Sequence, residues 1–308
     1  MYCDRIGTIE NVLHITKEVK MEALLITASL VAHQLEVIIV KSYGDRKKSG
    51  GEFFNAIICF FSMLFFIVTD KGGFYFPAPL IIYGVLSCIG YAAGFYFTYL
   101  ALRCGSYANT KMVSSLGTVL TVVYGTFFLG EPSGIITWLA VALIILAIAM
   151  MNSGKRLEGE RAGGFSVKWL LFVLLSVAGN FVITVTKREQ QIRFEGACDN
   201  EFLIISLFGA FLFLFIYGIF VDRHQLGTAL KSGIFHGAVA GVCNGASNLL
   251  SIITLLYVPI SVLSPINAGG GLLLAFLVSA LLYKEKFTKR QMLSAVIGVV
   301  ALVLFKIA

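Results

Sequence analysis

Charge is what this sequence has least of. Only 13% of its 308 residues are Asp, Glu, Lys or Arg, against about 25% in an ordinary soluble domain. With 58% hydrophobic residues, a water-soluble fold could not cover its own surface, so a bilayer is the expected solvent. The six cysteines, Cys3, Cys59, Cys88, Cys104, Cys198 and Cys243, make no CxxC pair and no Cys/His cluster. Neither a zinc site nor a disulfide framework is therefore indicated. Most of them lie in apolar runs, where Cys acts as a small hydrophobe. HExxH, GxSxG and paired catalytic aspartates are missing, and so is a phosphate-binding P-loop. No loop is long enough to carry a separate active site. Catalytic residues, metal ligands and cofactors are therefore not expected, and ATP-driven pumping by this chain alone is excluded.

The formal charge of +7 comes from 24 Lys and Arg against 17 Asp and Glu. These charges sit in short clusters between apolar runs. They suit anionic lipid head groups and form no nucleic-acid-binding face. Residues 1–20 are polar and mixed in charge, the reverse of a secretory signal. They read as a polar N-terminal tail, with Met21 an equally good start.

A spanning helix needs about 20 mostly apolar residues. Ten runs meet this: 22–40, 53–69, 79–102, 108–129, 134–152, 169–187, 202–221, 233–256, 260–282 and 291–307. Arg103 to Ser106, Glu131 to Ser133 and Tyr257 to Pro259 are very short links, so the helices they join must form antiparallel hairpins. The longest connector, 153–168, is charged and rich in glycine.

The chain repeats itself. Leu24 falls on Leu170, Val31 on Val177, Gln34 on Asn180 and Lys41 on Lys187; further on, Gly84 falls on Gly237, Thr98 on Ser251, Gly117 on Gly271 and Glu131 on Glu285. The division expected is a first repeat over 21–153, a linker over 154–168 and a second repeat over 169–308. Five helices per repeat is an odd number, so the second repeat must insert upside down. The expected fold is an all-α polytopic membrane protein of ten transmembrane helices in two inverted five-helix repeats. Such folds are characteristic of secondary transporters, with the substrate site near the midplane between the repeats.

Two stretches carry a family resemblance. Tyr91–Asn152 contains Leu-Ala-Leu-Arg-Cys-Gly-Ser-Tyr-Ala-Asn-Thr, then Ser-Ser-Leu-Gly-Thr-Val-Leu-Thr, then Phe-Leu-Gly-Glu-Pro and an apolar last helix. Leu255–Ile307 contains Val-Pro-Ile-Ser-Val-Leu-Ser-Pro-Ile-Asn, then Leu-Leu-Tyr-Lys-Glu-Lys and another apolar last helix. Each resembles the end of an EamA repeat of the drug/metabolite transporter superfamily. The resemblance implies efflux of small metabolites, amino acids or drugs, a cavity lined by the first, third and fourth helices of each half, and two cytoplasmic termini in the plasma membrane. The charges point the other way. With cytoplasmic termini, Arg5, Lys17, Lys20, Lys71, Lys187, Arg188, Arg193 and Lys306 lie inside and fifteen Lys and Arg lie outside, against the positive-inside rule.

Ionisable groups within apolar runs are the candidates for chemistry, because a charge at a helix centre costs roughly 2.5–3.5 kcal/mol on insertion scales. His33 and Glu36 are three apart and share a helix face. The pair is a candidate proton-coupling or substrate-amine site, with Glu36 the residue that could carry the proton; the plain alternative is a glutamate reaching the interface beside a packed histidine. Asn180, Thr184 and Lys187 form a polar stripe on the sixth helix. Asn244, Ser247, Asn248 and Ser251 form another on the eighth, opposite Tyr91, Gly94, Phe95 and Thr98 of the third. Lys111 could meet an anionic group or reach the interface. Its repeat partner is Pro265, expected to kink the ninth helix, which also carries Asn267 and the run Gly269-Gly270-Gly271. The expected cavity residues are thus His33, Gln34, Glu36, Tyr91, Thr98, Lys111, Asn180, Asn244, Ser247, Asn248 and Asn267. Glu131 and Glu285 are read as surface caps on the first turn of the helix that follows each.

The expected function is secondary transport of a small molecule by alternating access, with protons as a candidate coupling ion. A membrane channel is the alternative and a membrane enzyme a weaker one. The partners expected are the bilayer and the substrate, with no nucleic acid, in a monomer or homodimer.

Overall fold

The computed structural model describes residues 3–46, 50–70, 72–105, 110, 113–114, 117–131, 134–152, 166–281 and 288–307. Among them there are ten α-helices and no strand. They are α1 (Cys3–Arg46), α2 (Gly51–Thr69), α3 (Ala78–Cys104), α4 (Gly117–Phe127), α5 (Ile135–Asn152), α6 (Val167–Phe194), α7 (Asp199–Asp222), α8 (Leu226–Tyr257), α9 (Ile260–Leu281) and α10 (Lys289–Ile307). Six stretches are long and apolar enough to cross a membrane: Met21–Gly44, Gly51–Thr69, Ala78–Cys104, Val167–Phe194, Asp199–Val221 and Arg223–Tyr257.

Most helices start and stop within a few residues of the apolar runs, with three clear exceptions. α1 is helical back to Cys3, α6 continues to Phe194, and α8 begins at Leu226. The apolar run fades at the first charges, but the i→i−4 ladder does not need an apolar sequence to continue. In α6 the extension is held by tertiary partners: Gln190 and Gln191 are buried, and Gln191 Nε2 donates to Asp199 Oδ1 at 2.7 Å. α6 stops at Glu195, which adopts φ 50, followed by Gly196 at φ 82.

The outside of the molecule is apolar. Leu24, Ile82, Ile135, Val167, Phe220 and Phe235 are each more than 60% exposed. A soluble monomer rarely shows contiguous apolar patches above a few hundred Å², whereas lipid accepts such a surface without cost. Inside, one cluster joins α2, α3, α7 and α8 around Phe66, Leu80, Phe202 and Leu207, and a second joins α3, α5 and α6 around Trp169 and Val173.

Two ends can be distinguished. At one, Asn200 Nδ2 donates to Asp70 Oδ1 and the Tyr75 amide donates to Glu201 Oε1. At the other, Gly50 lies against Gln225, and Trp169 Nε1 donates to Thr110 Oγ1. Between the ends, α3 packs on α6 and α1 on α8; α2 packs on α7 and α8, α3 on α7, α4 on α9 and α5 on α10.

The α3–α6 crossing is the tightest. A Cβ on Gly179 would stand 2.6 Å from the Gly94 amide nitrogen and 2.8 Å from the Gly90 carbonyl oxygen. Small residues here let two backbones touch, the usual way in which helices associate in lipid. Of the glycine run on α9, Gly270 lies against the end of the Leu30 side chain, while Gly271 has open space before it. α9 is helical across Pro265 from Ile260 to Leu281; the proline does not break it, although it offers no N–H to Ser261.

Candidate functional site

The side chains that face one another between the helices enclose a cavity of about 340 Å³, within the range of small-molecule sites. α1 supplies Ser29, His33, Glu36 and Val40; α3 supplies Tyr91, Gly94, Phe95 and Thr98; α6 supplies Val177, Asn180, Thr184 and Lys187. α8 adds Asn244, Ser247, Asn248 and Ser251, α9 adds Ser264, Asn267 and Gly271, and Thr110, Ser114, Gly117, Thr118 and Thr121 complete the lining.

Helical geometry decides which residues of α1 take part. Ser29, His33, Glu36 and Val40 follow one another at steps of three and four, so they form one stripe. Gln34 is buried but lies about 100° round the helix from His33, and it is not among the lining residues. Of the residues expected from sequence, His33, Glu36, Tyr91, Thr98, Asn180, Asn244, Ser247, Asn248 and Asn267 line the cavity. Lys111 and Glu285 lie outside the described residues.

Hydrogen bonds stitch the lining across the two halves of the chain. Ser29 Oγ donates to the Ser247 carbonyl at 3.0 Å, and Ser247 Oγ donates back to the Ser29 carbonyl at 3.1 Å. Thr98 Oγ1 and Ser176 Oγ are 2.5 Å apart, joining α3 to α6. Thr121 Oγ1 and Ser264 Oγ are also 2.5 Å apart, joining α4 to α9.

The deepest part of the cavity is a polar network. His33 Nδ1 lies 3.2 Å from Glu36 Oε2, which also accepts from Asn244 Nδ2 at 3.1 Å. Asn244 Oδ1 accepts from Ser62 Oγ and from Asn248 Nδ2, each at 2.8 Å. Asn248 Oδ1 accepts from Tyr91 Oη at 2.7 Å and from Lys187 Nζ at 2.5 Å. Glu36 and Lys187 are only 3% and 6% exposed. Buried ions persist in a low dielectric only when hydrogen-bonded, and here both are bonded through the same two asparagines. Asn55 Nδ2 and Asn267 Oδ1 also lie in this region, buried and with no hydrogen-bond partner among the described residues. Leaving such a group unpaired costs about 1–3 kcal/mol.

Three participants lie outside the set of expected cavity residues. Lys187 sits where the apolar run ends, so it was counted with the loop charges; the longer α6 carries it inside. Its place in the Asn180–Thr184–Lys187 stripe was the signal. Asn55 and Ser62 belong to α2, whose apolar run gave no polar stripe to follow.

Glu131 also differs from expectation. It is buried, and its carboxylate accepts from the Ile260 and Ser261 amides at 3.1 and 2.9 Å. It therefore caps α9 in the other half and not α5, the helix that follows it. The Glu131 amide donates to the Gly125 carbonyl at 3.0 Å, and Arg188 Nε donates to the Glu131 carboxylate at 2.9 Å.

Residues 21–153 match the EamA-like transporter family. No curated protein matches the chain. A solved structure described only as "Crystal structure of protein" is similar in fold, with a TM-score of 0.69 and 13% sequence identity, over 93% of this chain and 96% of that one.

Proposed function

We propose, from the premise that residues 21–153 make this chain an EamA-type member of the drug/metabolite transporter superfamily, that it moves a small polar molecule across the plasma membrane by alternating access. The observation that carries this reading is the cavity itself. Both halves of the chain line it, and it holds a buried carboxylate and a buried ammonium. Ionisable groups inside spanning helices usually face a substrate or ion path.

Further support comes from the packing pattern. If 21–153 and 169–308 are the two repeats and 154–168 the linker, exchanging them turns the α3–α6 contact into α8–α1, and α2–α8 into α7–α3. All four contacts are present. α2–α7, α4–α9 and α5–α10 map onto themselves, and these are present too. This pattern supports the reading of ten spans in two inverted five-helix repeats related by a two-fold axis. Alternating access then follows as one repeat rocks against the other around the cavity. The substrate contacts we assign are Tyr91, Asn180, Asn244 and Asn248, with Glu36 as carrier of a coupling proton. Transport is outward, with both termini in the cytoplasm.

The test is counter-flow in proteoliposomes across a panel of small metabolites, amino acids and cationic drugs. An alternating carrier loaded with substrate on one side speeds entry of labelled substrate from the other. Flux without such trans-stimulation would mark a channel and overturn the reading.

A further inference from the structure

Glu36 and Lys187 are opposite charges buried in one cavity, and they do not touch. Two amides stand between them. Lys187 Nζ donates to Asn248 Oδ1, Asn248 Nδ2 donates to Asn244 Oδ1, and Asn244 Nδ2 donates to Glu36 Oε2. Each amide turns its carbonyl towards the lysine and its amino group towards the glutamate, so the dipoles add along the row.

A cation and an anion in a low dielectric attract most strongly in contact. Holding them apart leaves binding capacity at both. An ammonium has three donors, and Asn248 is the one hydrogen-bond acceptor that Lys187 has among the described residues. On Glu36, both close neighbours, His33 and Asn244, are on Oε2. Elsewhere in the cavity lining, Asn55 is 1% exposed and its Nδ2 lacks a partner among the described residues. These are the marks of a site short of a ligand.

We propose that Lys187 and Glu36 bind the two ends of the substrate, Lys187 its carboxylate and Glu36 its ammonium, and that the substrate is a small zwitterion with several carbons between its charges. Spacing sets the last condition. Asn244 and Asn248 are one turn apart, about 6 Å along α8, and each charge is attached to a different one. An α-amino acid carries both charges on one carbon and reaches one pole at a time. An ω-amino carboxylate reaches both. The inference rests on the transport reading for its biological setting, but it concerns binding and can be tested without flux.

The probe is 5-aminopentanoate, compared with glycine, pentanoate and pentylamine. In detergent, 5-aminopentanoate should raise the midpoint of thermal unfolding, and half of the effect should need about tenfold less of it than of any comparison compound. A lost hydrogen bond to a charged group predicts a similar loss, about tenfold or more, in Lys187→Met and in Glu36→Gln. Lys187→Arg should recover part of it. A cooperative thermal transition shows that each variant is folded. Glycine matching 5-aminopentanoate, or wild-type binding by Lys187→Met, overturns the inference. So does the absence of any response from folded wild-type protein. Binding without counter-flow would sink the transport reading alone. Counter-flow of another solute, with no response to 5-aminopentanoate, would sink this inference alone.

Discussion

Arg188 holds Glu131 across the middle of the chain: Nη2 lies 2.8 Å from Oε1, and the same guanidinium donates through Nη1 to the Leu255 carbonyl at 2.7 Å. One carboxylate thus ties α6 to the start of α9 and, through Arg188, to the end of α8. Glu131→Ala removes a helix cap and leaves a partly buried guanidinium unpaired. Breaking a buried pair costs 3–5 kcal/mol; Arg188 is 17% exposed, so about 3 kcal/mol is expected. A lower unfolding midpoint in detergent checks this. Glu131→Gln, which keeps an acceptor for the amides, should lose less. Equal losses would mean that the neutral acceptor contributes nothing and the charge carries the whole effect.

Asn248 is the next position to test, because it accepts from Tyr91 and Lys187 at once. Asn248→Leu strands a buried hydroxyl and a buried ammonium. A loss of at least about 1–3 kcal/mol follows from the unsatisfied groups. Asn248→Asp keeps the oxygen that Tyr91 and Lys187 share and gives Lys187 a direct counter-charge, but it loses the Nδ2 donor to Asn244 Oδ1, so it should recover only part of the loss in thermal unfolding.

Gly179→Ala should damage the protein and Gly271→Ala should not. The added methyl at 179 meets backbone atoms at 2.6–3.1 Å, whereas at 271 it meets nothing within 4 Å. Overpacking typically costs about 1–3 kcal/mol. The comparison needs only the yield of folded protein and its unfolding midpoint.

Much of this was legible beforehand, and the parts that were not share a cause. Hydropathy finds apolar runs, so helix existence was plain from Ala78 to Cys104 or from Asp199 to Val221. It says nothing about where a helix stops once its partners are charged or polar, and α6 runs past Lys187 to Phe194 for that reason. Lys187, at the last position of that apolar run, belongs by sequence both to the polar stripe and to the flanking charges, and the helix beyond it decides for the stripe. The polar stripe on α8 was readable because four side chains at helical spacing stand out against an apolar background. Gln34 is expected in the cavity as the repeat partner of Asn180, but it lies about 100° round α1 from His33 and does not line the cavity. Glu131 could be recognised as a cap from its turn, but not which helix it caps. That depends on a contact with Ile260, 129 positions along the chain.

Glu36→Gln keeps an acceptor for Asn244 but cannot release a proton. At saturating substrate, counter-flow should persist while accumulation driven by a pH gradient is lost. Unchanged gradient dependence in proteoliposomes would remove Glu36 as the coupling group.

Orientation can be settled with two single cysteines at opposite ends. Gly72 has open space around it, and His224 is exposed between α7 and α8. In a background lacking the native cysteines, His224→Cys should react with an impermeant thiol reagent in intact cells. Gly72→Cys should react only after permeabilisation. The reverse result would place the termini outside, as the count of basic residues suggests.

The contact of Gly179 with Gly90 and Gly94 has a historical consequence. If the two halves arose from one ancestral segment, they could not afterwards have drifted independently. A larger side chain admitted on α3 has room only if α6 gives up volume at the same depth, so substitutions in one half are conditional on the other. Where α6 meets α3 backbone to backbone at Gly179, α1 meets α8 through the reciprocal hydrogen bonds of Ser29 and Ser247. The asymmetry of the cavity is therefore inherited through the size of a few residues at the crossings, before any polar group is chosen.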